Sequence, residues 1–66
     1  MDIEKNFTYH APKGDQTSRY QCIRDTAKGF AVLLDSACPD SREKNLAFTK
    51  LEEVVMWANA SIARNE

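Results

Sequence analysis

The chain has little of what usually staples a small protein. Its 66 residues include two cysteines, one histidine, two glycines and two prolines. A lone histidine with two distant cysteines supplies no zinc-ligand set, so no metal or other cofactor is expected. Cys22 and Cys38 lie sixteen residues apart. On one helix that separation is roughly 24 Å of rise, far beyond the ~7 Å between Cα atoms that a disulfide tolerates. The expectation is two small buried thiols in a reducing cytoplasm. Charge of one sign is also lacking. A formal net charge of −1 speaks against a protein that coats duplex DNA, which is normally basic. No signal peptide is expected, and no apolar run nears the ~20 residues that cross a bilayer.

A chain this short makes a single domain, residues 1–66, and hides only roughly 60% of its unfolded surface. Without disulfide or metal, association with further copies is the remaining source of stability.

Residues 1–17, "MDIEKNFTYHAPKGDQT", carry Pro12 and Gly14 and no helical period. They read as an N-terminal arm. Phe7 and Tyr9, two apart, would share one side of an extended segment and tether the arm to the helices. "SRYQ" then resembles a capping box, with Ser18 as cap and Gln21 reaching back. Apolar residues recur at Tyr20, Ile23, Ala27, Phe30, Leu34 and Ala37. Steps of three and four predict a first long helix over about residues 18–38. Gly29, costly in a helix interior, would mark a close approach.

Pro39 stops that helix, and Asp40 with Glu43 offers a second capping box. The link is short enough to force an antiparallel αα-hairpin. The second long helix is predicted over about 41–64, with a seam at Phe48, Leu51, Val55, Ala58 and Ile62. That seam leaves Leu46, Val54, Met56 and Trp57 facing elsewhere. "VVMWANASIAR", residues 54–64, is therefore apolar on more than one face, and its alanines and Ser61 invite another helix. The predicted fold class is all-α: a two-helix hairpin with an arm, assembling into a compact homo-oligomer through the second helix.

Catalysis finds no support. His10 has no nucleophile placed beside it, and adjacent Glu52 and Glu53 point roughly 100° apart on a helix. No catalytic residue is assigned. Anion binding is better served. Arg24 and Lys28 share a face one turn apart, with Lys13, Arg19 and the arm aromatics as neighbours. Cations beside a stackable ring are what a nucleotide needs, charge for phosphate and a π-face for the base. The plainer alternative, which composition and spacing favour, pairs these cations with Asp25, Asp35 or Glu43. Arg64 follows Asn59 by five residues. Copies of Arg64 converging in an oligomer would be costly without an anion, although a solvated terminus is the other reading.

From Phe7 to Arg64 the chain resembles the small phage hairpin-domain family of immune-evasion sponges. That family includes the anti-CBASS type 2 proteins and shares its hairpin with Thoeris anti-defence sponges. "YHAPKGDQ", "CPDSREK", "LEEVVMWANASIAR" and the spacing between them carry the resemblance. It implies a helical hairpin assembled as a hexamer, with no catalysis. It implies binding of cyclic dinucleotide messengers, or trinucleotides as well, in the cytoplasm of an infected bacterium. An arm tyrosine would stack on a base while a cation and a threonine of the first helix meet the phosphates, positions matched by Tyr9, Arg24 and Thr26. Arginine stands where relatives often have lysine, which keeps the charge and changes the hydrogen-bond geometry. Arg24 and Thr26 lie roughly 200° apart around a helix, so one ligand reaches both only across a subunit junction or an irregular helix. Asn59 and Arg64 are the candidates for a second, trinucleotide pocket.

A different class of function is an oligomeric adaptor that binds a host protein through exposed Trp57 and Met56. A small DNA-binding regulator is disfavoured by the near-neutral charge and the lack of a recognition-helix motif.

Overall fold

Three helices make up the described part of the chain, residues 2–66 of a computed structural model: α1 over Ile3–Phe7, α2 over Gln16–Ala37 and α3 over Arg42–Asn65. No strand occurs among those residues. α2 and α3 pack side by side as a hairpin. The overall dimensions are 42 × 27 × 13 Å, and the thinnest is close to the ~10–12 Å of one helix with its side chains. The radius of gyration is 14.7 Å, against about 11 Å for a compact domain of this length. The hairpin is a single layer.

A single layer cannot enclose a core. Among the described residues no apolar side chain is fully buried, and the two buried residues are both polar, Gln16 and Lys44. On α3 the half-buried stripe is Phe48, Leu51, Val55, Ala58 and Ile62, which leaves Val54 60% and Trp57 63% exposed. On α2 the stripe departs from the expected seam. Phe30 and Ala37 face solvent, while their neighbours Ala31 and Cys38 take the inward positions. The alanine keeps the two helix axes close beside the ring of Phe48, which lines the same groove.

The termini of the helices also differ from expectation. The arm is not wholly irregular, since Asp2 caps α1 by accepting from the Lys5 backbone N–H at 3.0 Å. Phe7 and Tyr9 do not tether it, being 77% and 84% exposed. α2 starts at Gln16 rather than Ser18, so the proposed capping box lies inside the helix and Gln21 instead donates to Asp25. Gly14, at φ +53, makes the turn that feeds the helix. The carboxamide oxygen of Gln16 accepts from the Lys13 backbone N–H at 2.9 Å. Ser41, not Asp40, caps α3, accepting from the Lys44 N–H at 3.1 Å.

Asp40 has a different task. The Lys44 side chain is 7% exposed, and its ammonium donates to the Asp35 carbonyl oxygen and the Asp40 carboxylate, each at 3.0 Å, with the Asp35 carboxylate 3.2 Å away. Its pKa is raised, first by the Asp40 hydrogen bond and then by that of Asp35. One lysine thus ties the end of α2, the link and the start of α3. Cys22 and Cys38 are both free thiols, and Cys22 is exposed rather than buried. A Cβ at Gly29 would meet nothing within 4 Å, so no close approach to Gly29 exists within one chain. No helix among the described residues is long and apolar enough to cross a membrane.

Candidate functional site

At the end of the hairpin away from the turn, the arm folds back across α2 and α3. Lys5 Nζ donates to Asn65 Oδ1 at 2.8 Å, and the His10 ring nitrogen Nε2 lies 2.8 Å from the Lys5 carbonyl oxygen. Since a carbonyl oxygen can only accept, that nitrogen carries the proton. A clasp closes the base of the arm. Arg19 forks onto the Glu66 carboxylate, Gln16 Nε2 donates to Glu66 Oε1 at 3.3 Å, and Lys13 Nζ donates to the Glu66 carbonyl oxygen at 3.1 Å. These bonds hold the Glu66 carboxyl down to about 2, Arg19 contributing most and Gln16 next. The pKa of Arg19 is raised in turn, by Glu66 first.

Arm, α2 and α3 together line an open hollow of about 400 Å³. Lys5 and His10 line it from the arm, Tyr20 and Arg24 from α2, Asn59 and Arg64 from α3. Ala60 and Ala63, small enough to leave the space open, form part of its wall. No carboxylate lines it. The ion pairs among the described residues engage Arg19, Lys44 and Lys50 and leave Arg24, Lys28 and Arg64 out. Arg24 Nη1 instead donates to the neutral Gln21 Oε1 at 3.0 Å, and Gln21 passes its own amide to Asp25. Surface pairing of Arg24 or Lys28 with Asp25, Asp35 or Glu43 is therefore not what the structure contains. A guanidinium has five N–H donors, so Arg24 keeps most of its capacity for a ligand. Asn59 adds a second unsatisfied group: its Oδ1 is buried with no hydrogen-bond partner. Such an acceptor costs about 1–3 kcal/mol until a donor arrives.

Residues expected to act in two separate pockets are distributed differently here. Arg24, Asn59 and Arg64 line one hollow. Thr26 lies in an apolar groove with Cys22, Phe30 and Val54. Lys28 borders another groove with Phe48 and Glu52, which Arg24 also touches. Tyr9 projects into solvent. Within one chain, then, neither Thr26 nor Tyr9 meets the hollow. Lys5, His10 and Tyr20 are wall residues that sequence reasoning did not assign. The one available signal was Asp2, a capping residue three before Lys5, which marks α1 and so carries Lys5 inward. His10 had no sequence signal.

The Acb2/Tad1 hairpin-domain family model matches residues 1–63. The chain belongs to that family. No curated protein and no solved structure matches it. The Acb2/Tad1 hairpin family is one of ligand-sequestering sponges and not of enzymes, which gives the chain a sponge-type anti-defence role. The hollow suits that role. It gathers cations and an asparagine whose Oδ1 is unmet within the chain. Among the described residues no group of three or more His, Cys, Asp or Glu side chains is placed to hold a metal ion.

Proposed function

We propose that this protein is a phage immune-evasion sponge that captures cyclic di- and trinucleotide messengers and so silences bacterial CBASS signalling without cleaving them. The observation that carries this reading is the hollow lined by Arg24 and Arg64, free of carboxylates, together with Asn59, whose Oδ1 has no partner within the chain. Two guanidiniums answer phosphodiester charge with directed N–H donors. Nanomolar capture requires about −12 kcal/mol, more than one charged contact supplies, so stacking and a preformed cavity must contribute.

The working unit is a homo-oligomer, a hexamer by family resemblance. Three facts support assembly: the single-layer shape, the lack of any buried apolar side chain among the described residues, and the exposure of Val54, Met56 and Trp57. Assembly also accounts for the scattered candidates. Thr26, Lys28 and Tyr9 lie outside the hollow of one chain and would reach a ligand from a neighbouring copy, Tyr9 stacking on a base.

Native mass spectrometry with and without a panel of cyclic di- and trinucleotides tests both halves. The expected result is a hexamer that gains ligands in whole-number ratios and, on heating, releases them intact. Linear or hydrolysed product would make the protein a phosphodiesterase. An unliganded monomer across the panel would overturn the reading. The alternative, a helical adaptor for a host protein, draws on the 63% exposure of Trp57 and of Met56. It loses that support if Trp57 becomes buried between copies of the chain.

A further inference from the structure

The imidazole of His10 lines the hollow but takes no part in the reading above. Its Nε2–H is committed to the Lys5 carbonyl oxygen at 2.8 Å, which leaves Nδ1 as the nitrogen available to a ligand. In the neutral ring Nδ1 is a lone pair and repels phosphate oxygen; once protonated it becomes a second charged donor. The groups that share the hollow with it are Lys5 from α1, Tyr20 and Arg24 from α2, and Arg64 from α3, with no Asp or Glu among them. A polyanion bound in the hollow favours the charged form of the ring.

We propose that His10 is a binding residue of this hollow, its imidazolium donating from Nδ1 to a ligand phosphate, so that capture of a cyclic nucleotide takes up a proton from solvent. The arm then does more than cover the site: Lys5 and His10 form a third wall whose charge rises when the ligand arrives. The inference rests on the sponge reading and adds a residue and a linkage to it. Its consequence is that the protein holds its ligand more tightly as the surroundings acidify through the range in which imidazole titrates.

The test uses the full chain with 3′,3′-cyclic diadenylate, and cyclic triadenylate as second probe. Affinity is measured by calorimetry at pH 6 and pH 8, and at neutral pH in two buffers of different ionisation enthalpy. The wild type should bind about three- to tenfold more tightly at pH 6, with a buffer-dependent heat that reports proton uptake. His10→Gln, which can still donate to the Lys5 carbonyl but cannot charge, should bind with less than a twofold pH difference and no buffer dependence. Subtracting it removes proton linkages that arise elsewhere in the protein. Native mass spectra of both proteins at both pH values establish that assembly is unchanged. Binding with equal pH slopes in wild type and variant would overturn the role of His10 and leave the sponge reading intact. Binding of neither probe at either pH would overturn both.

Discussion

The two ends of the hairpin handle charge in opposite ways. At the turn, every charged group that Lys44 meets is its partner: two carboxylates and a carbonyl oxygen converge on one buried ammonium. At the other end, Arg24 and Arg64 line a hollow without a carboxylate, and Asn59 keeps an acceptor buried and unmatched. Cations that face one cavity without a carboxylate repel one another and contribute little to the hairpin, Arg24 holding only the exposed bond to Gln21. The comparison separates residues that hold the hairpin together from residues kept ready for something else.

The largest effect should come from emptying the open end. Arg64→Ala with Arg24→Ala removes two charge-assisted contacts, each of about 1.5–3 kcal/mol, so affinity for a cyclic nucleotide should fall by about 100-fold or more. The melting temperature should change little, because the one intrachain bond lost is the exposed one from Arg24 to Gln21 and mutual repulsion is lost with it. Isothermal calorimetry and a circular-dichroism melt on the same sample decide the matter. A large loss of stability would place these arginines with Lys44 as structural residues and erase the contrast.

Next in size is the reverse experiment at the turn. Lys44→Met keeps an unbranched side chain one atom shorter but leaves Asp35 and Asp40 without a cation between them. The melting temperature should drop by several degrees or more, the deepest loss of any single charged position. Ligand affinity per folded molecule should be unchanged, since the turn lies at the far end from the hollow. Weakened affinity with unaltered melting would show that the two ends are coupled.

The same contrast explains what the sequence made legible. The α3 seam was readable because steps of three and four persist from Phe48 to Ile62, and no polar residue competes for those positions. The α2 seam was misplaced where Phe30 and Ala31 stand side by side. Size pointed to the phenylalanine, whereas closeness of two helix axes selects the alanine, a property of the partner helix and not of α2. Caps moved by one or two residues because Ser, Asp and Gln near helix starts each offer a plausible acceptor, and long-range partners such as Lys44 and Glu66 settle which is used. The hollow was legible only in pieces. Arg24, Asn59 and Arg64 stood out by local spacing and family resemblance, but their shared wall joins segments about forty residues apart. Lys5 and His10 enter it through a hydrogen bond between Lys5 and Asn65 that no local pattern encodes.

The smallest expected effect belongs to the clasp that holds the open end in shape. Glu66 titrates at about 2 in the folded chain, against an ordinary 4.5, chiefly through its hydrogen bonds from Arg19. A carboxyl that gives up its proton more readily when folded favours the folded chain wherever it is ionised, that is, above about 4.5. As the pH falls from there towards 2, the unfolded chain takes the proton first and the contribution is lost. Thermal melts of the wild type should therefore fall more steeply between pH 5 and pH 3 than those of Glu66→Gln. Both partners are partly exposed, Arg19 by 39% and Glu66 by 42%, so the difference should be at most a few degrees and should shrink in added salt. Equal acid slopes in the two proteins would mean that Lys13 and the arm, not the Arg19–Glu66 pair, keep the hollow's outer wall in place.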